Sequence, residues 1–82
     1  MYGTSIPGFS GLVGMRLRAR REYLGLTIKE CAERLDTESS QISRLERGQG
    51  QITLDWLFRY CLLLGVHPSQ ILAAAEYPRT AA

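Results

Sequence analysis

Two short helical patterns separated by a tight turn, within residues 25–48, constrain this 82-residue chain more than any other feature. Gly25 ends the pattern before them. Thr27-Ile28-Lys29-Glu30 then sets a hydroxyl and a carboxylate three residues apart, the arrangement of a capping box. A helix starting there turns Cys31, Ala32 and Leu35 inward. Asp36-Thr37 is the turn. Thr37 or Glu38 can cap a second helix, from about Ser39 to Arg47, which turns Ile42 and Leu45 inward and stops at Gly48.

The flanks supply the rest of a helical domain. Residues 12–24 carry Val13, Leu17 and Leu24 on one side, with Arg16, Arg18, Arg20 and Arg21 around the remainder. Gly48-Gln49-Gly50-Gln51 is a loop by composition. Thr53 can cap a helix from Leu54 to Leu64 that Gly65 closes, and His67-Pro68 suits the start of a last helix through Ile71 and Leu72. The expected architecture is all-α, a compact bundle of five helices over residues 12–75. Residues 1–11, with three glycines and a proline, read as a flexible arm, and residues 76–82 as a tail.

Composition narrows the class without naming a partner. Hydrophobic residues at 45% and charged residues at 22% describe an ordinary soluble globule, and a net charge of +2 is only weakly basic. No apolar run approaches the ~18 residues that span a bilayer. Met1 to Gly11 lacks the charged-then-apolar order of a signal peptide. Two cysteines and one histidine are too few for a structural zinc site or a disulfide scaffold, so reduced thiols in cytoplasm are expected. Cys31 and Cys61 fall on apolar faces and read as small buried hydrophobes. No Ser/His/Asp or Cys/His set converges in the pattern, so no catalysis, metal, cofactor or small-molecule ligand is expected.

Short helices joined by a three- to four-residue turn make a helix-turn-helix unit, whose second helix enters the major groove of DNA. Such a unit needs a small residue where the helices cross, which Ala32 supplies, and a turn residue that tolerates positive φ, a place Asp36 can fill. It also needs short polar side chains on the outward face of the second helix. Ser39, Ser40, Gln41, Ser43 and Arg44 fit.

From Leu17 to Leu72 the chain resembles the Cro/repressor class of helix-turn-helix proteins, also called the XRE family or lambda repressor-like. The resemblance rests on the run from Gly25 to Leu35, on Gln41 to Gly48, then on Thr53-Leu54, Leu57, Leu64-Gly65-Val66 and Ile71-Leu72. It implies base contacts from the start of the recognition helix and one turn further in, here Ser39, Ser40 and Arg44, with Gln41 and Ser43 as secondary candidates. Arg44 is the strongest, because a guanidinium can bond guanine O6 and N7 together, for about 1–3 kcal/mol of discrimination. The resemblance implies phosphate contacts around the preceding helix start, at Thr27, Ile28 and Lys29, although Ile28 stands where a glutamine is common. Arg16 and Arg20 on helix 1, with Arg47 and Gln49 after the recognition helix, complete the expected phosphate set. Arg18 could equally face solvent. The resemblance also pairs Arg21 with Glu46 as a structural ion pair.

The fourth helix is apolar nearly all round, and a domain this small can hardly cover it. One reading is a central core helix. The other is a surface for a second subunit, with Trp56, Tyr60 and Leu63 joined by Ile71, Leu72 and Tyr77; Leu54, Leu57, Cys61 and Leu64 would then form the inward stripe. The expected function is transcriptional regulation, by default repression, through a homodimer bound to a two-fold symmetric operator in double-stranded DNA. The alternative is a DNA-binding antitoxin or interaction module whose helix 4 or C-terminal surface engages a different protein.

Overall fold

The computed structural model describes residues 8–50 and 52–74, and these form five helices and no strand: α1 (Phe9–Tyr23), α2 (Ile28–Arg34), α3 (Ser39–Glu46), α4 (Leu54–Leu64) and α5 (Pro68–Ala74). The all-α expectation holds, and so does the element order. Residues 1–7, most of the expected arm, and residues 75–82, with the tail and Tyr77, lie outside the described residues.

The boundaries follow from local chemistry. The Thr27 hydroxyl accepts from the Glu30 amide at 3.0 Å and Glu30 reaches back to the Thr27 amide at 2.8 Å, so the capping box that opens α2 is complete. Thr53 caps α4 through the Trp56 amide at 3.1 Å. Gly65, at φ 70°, closes α4 in the left-handed region, where a glycine carries no Cβ penalty. Asp36 holds φ 54° between α2 and α3, the strained place the turn requires. His67 opens α5, with its amide on the Gln70 side chain.

Three expectations need correction. α1 begins at Phe9, not after Gly11, because Phe9 and Leu12 pack on the core and anchor an extra turn. Leu24 is left exposed at the α1 C-terminus, where the chain turns away. Leu54 does not join the inward stripe: at the first position of α4 it is 82% exposed.

α1 is the hub, since it packs against α3, α4 and α5, while α2 rests on α3. Val13 and Leu17 from α1, Cys31 and Ala32 from α2, Ile42 from α3 and Tyr60, Cys61 and Leu64 from α4 meet in one core. Both cysteines are buried free thiols, and burial pushes each above its ordinary pKa. The crossing of α1 and α3 is especially close. A Cβ on Gly14 would lie 2.4 Å from the Glu46 carbonyl oxygen and 2.6 Å from that of Leu45. A Cβ on Gly48 would lie 2.6 Å from the Gly11 backbone.

Candidate nucleic-acid interface

α3 is held from behind and open in front. Ile42 and Leu45 are buried, whereas Ser39, Ser40 and Arg44 are exposed and Gln41 and Ser43 half-buried. The five candidate base-reading residues therefore share the outward side of one eight-residue helix. Arg44 has no acidic partner among the described residues, so its guanidinium is available to an outside acceptor. Glu38 is the residue before the helix, but its side chain caps nothing, so capping by Thr37 or Glu38 is not made.

The clamp behind α3 is a buried charge network. Arg21 Nε and Nη2 donate to the two oxygens of Glu46 at 2.6 and 2.9 Å, and Arg21 Nη1 donates to the Leu26 carbonyl at 2.8 Å. The Tyr60 hydroxyl donates to the same carboxylate at 2.5 Å. The bond to Glu46 raises the Arg21 pKa against the opposing effect of burial, so the guanidinium stays charged. Burial first, and the Glu46 bond second, hold the Tyr60 phenol protonated far above its usual range. The expected Arg21–Glu46 pair is present, and Tyr60 is a third member. Sequence reasoning placed Tyr60 on an outward dimer face. At 0% exposure it cannot serve there, because its hydroxyl is the donor Glu46 needs inside the protein.

The phosphate candidates divide. Thr27, Lys29, Arg47 and Gln49 are exposed, and Arg16 is exposed too. The Thr27 hydroxyl accepts from Glu30, which leaves its proton for an outside acceptor. Ile28 packs its side chain on the core, so only its backbone amide could reach a phosphate. Arg20 is half-buried, and its Nε donates to the Leu64 carbonyl at 3.1 Å, where a cation satisfies the C-terminus of α4. Arg18, left open by the sequence, borders a cleft of about 210 Å³ with Arg21, Ile28, Ser43, Glu46 and Arg47. Of the two exposed arginines at this groove, Arg18 is ion-paired to Glu22 at 3.0 Å, whereas Arg47 has no acidic partner among the described residues. The missed signal is positional: Arg18 lies three residues before Arg21, on the same face of α1.

The expected dimer face is also rearranged. Ile71, like Tyr60, is buried in the core. Trp56 and Leu63 are half-buried against the core, and the Arg59 guanidinium lies 4.6 Å from the Trp56 ring. Leu72 remains exposed. The exposed apolar groups of α4 are Leu54, Phe58 (56%) and Leu62 (70%), spaced four residues apart and so nearly in line along the helix.

Among the described residues no group of three His, Cys, Asp or Glu side chains could hold a metal, and no helix is long and apolar enough to cross a membrane. The family described as helix-turn-helix domain matches residues 12–74. A crystal structure of the clp gene regulator ClgR from Corynebacterium glutamicum is similar at TM-score 0.79 and 30% identity, over 84% of this chain and 73% of that one. The restriction-modification controller protein C.AhdI from Aeromonas hydrophila is similar at TM-score 0.71 and 26% identity, over 76% of this chain and 94% of that one. A hypothetical transcription factor from Neisseria, NHTF, shares the fold at TM-score 0.72 and 21% identity, over 88% and 86%. No curated protein matches the chain.

Proposed function

The chain belongs to the helix-turn-helix family of Cro/repressor type and is a DNA-binding transcriptional regulator, and from that premise we propose that it represses by occupying a two-fold symmetric operator as a homodimer. The observation that carries this reading is α3 itself, polar and open on its outer side while Ile42, Leu45 and Glu46 lock its inner side to α1 and α4. A helix so held can lie in the major groove without losing its register. Arg44 reads a base there, with Ser39, Ser40, Gln41 and Ser43 in shorter-range contacts. Thr27, the amides of Ile28 and Lys29, and Arg47, Gln49 and Arg16 meet phosphates, which position the helix but carry no sequence information.

The second copy is the occupant proposed for the ridge of Leu54, Phe58 and Leu62. A symmetric pair presents the same patch twice, and an all-apolar row complements itself without leaving any charge unpaired. Three side chains cannot cover the about 800 Å² per partner of a standard interface. Leu72, on the helix that packs against α4, is a further apolar group with exposure to add. The same ridge also suits a different protein, and that reading is favoured if the purified chain is monomeric. Repression needs only occlusion of DNA, so it asks nothing more of the domain.

Selection of bound sites from random duplex DNA tests the proposal. The expected outcome is a two-fold symmetric motif with half-sites about one helical turn, ~34 Å, apart. Arg44→Ala should then cost about 1–3 kcal/mol and relax one base pair in each half-site. An enriched motif without symmetry refutes the homodimer, and an equal loss on every sequence makes Arg44 a phosphate contact.

A further inference from the structure

At the tip of α3 stands an acid that the reading above leaves without a role. Glu38 is the last residue before the recognition helix, with extended backbone (φ −92°, ψ 150°). Its side chain is exposed and makes no capping bond. Its Oε1 lies 3.5 Å from the Ser40 hydroxyl, a weak donor contact that leans the carboxylate toward the side of the helix where Ser40 lies. The two residues that follow are serines, so Glu38 reaches further than either of its immediate neighbours at this tip.

A carboxylate approaching DNA meets repulsion from the phosphates unless a donor answers it. The major groove offers two kinds of donor, the amino groups on cytosine N4 and adenine N6. Guanine O6 and N7 and thymine O4 are acceptors and repel it. Adenine sets its N7 lone pair beside its amino group, whereas cytosine presents the amino group with no acceptor of its own base in the groove. We infer that Glu38 is a specificity-determining residue that selects cytosine through N4, and thereby guanine on the other strand, at one position of each half-site. The inference rests on α3 being the recognition helix. Arg44 then asks for guanine by donating, while Glu38 asks for cytosine by accepting, and Ser39 and Ser40 make room for both.

The test is selection from random duplex DNA with wild type, Glu38→Gln and Glu38→Ala. Thermal melting serves as the control, since an exposed side chain that caps nothing should leave the midpoint unchanged. Wild type should enrich cytosine at one position with a preference on the order of tenfold. Glu38→Gln should turn that position toward adenine, because an amide can bond N6 and N7 together. Glu38→Ala should flatten it while binding unrelated DNA more tightly than wild type, since a like charge near the phosphates is gone. A merely structural role would lower binding to all sequences in both variants. Three identical motifs overturn the role of Glu38 and leave the operator reading intact. A wild type that enriches no sequence overturns both.

Discussion

The carboxylate of Glu46 takes donors from two other helices, Arg21 on α1 and Tyr60 on α4, and so ties three helices at one point. The side chains of Arg21 and Glu46 are only 9% and 3% exposed, so neither can turn to water if its partner is removed. Glu46→Ala therefore leaves a buried guanidinium with the Leu26 carbonyl as its remaining acceptor, and should cost about 3–5 kcal/mol. Tyr60→Phe keeps the ion pair and removes one bond to a charged group, for ~1.5–3 kcal/mol. Urea unfolding of both variants measures the difference, and equal losses would show that the ion pair adds nothing beyond the tyrosine bond. The Arg21–Glu46 pair was legible because the resemblance places those residues together. Tyr60 was not, since a tyrosine on a helix that is apolar all round shows no partner in sequence. Its partner lies fourteen residues earlier and on another helix.

At the scale of elements, the legible features were those set within a few residues. The capping box of Thr27 and Glu30, the Thr53 cap and the Gly65 stop need only neighbours in sequence, and each appears where local chemistry puts it. The inward stripe of α4 holds at Leu57, Cys61 and Leu64, but its outward face was misread at Tyr60, since apolar residues nearly all round a helix leave periodicity little contrast there. Gly14 was overlooked although an isolated glycine inside a helical pattern is a usable signal of close approach. Its reason is tertiary: the backbone of α3 at Leu45 and Glu46 occupies the place of a side chain. Gly14→Ala should thus forfeit the usual helix gain and lose about 1–3 kcal/mol, because backbone must move apart. Operator affinity should fall with it, as α3 shifts on its seat. Gly11→Ala, three residues earlier, meets nothing within 4 Å and should stabilise by up to ~1 kcal/mol. Melting midpoints of the pair check this, and a stabilised Gly14→Ala would mean that the crossing has slack.

Among the described residues, α3, the proposed recognition helix, is fastened by Ile42, Leu45 and Glu46, and α4 carries an apolar ridge that the five helices leave exposed. These two surfaces depend on each other if the protein reads a symmetric operator. Each half-site contact made by one α3 gains from the second only when the two copies are joined, because joining raises the effective concentration of the second helix at its site. Phe58 is central in the ridge, between Leu54 and Leu62, and more than half exposed, so its replacement does not touch the core of one copy. Phe58→Glu should bury a like charge from each partner at the interface and separate the copies. Wild type should sediment as a dimer at micromolar concentration, and its melting midpoint should rise with protein concentration, as association stabilises the folded form. The variant should sediment as a monomer with a midpoint independent of concentration. Its binding to a full operator should fall toward that of a single half-site, with the base preference of each half-site unchanged. A variant that remains dimeric puts the interface elsewhere. A wild type that is monomeric across this range removes the homodimer and leaves the ridge of α4 to a different protein.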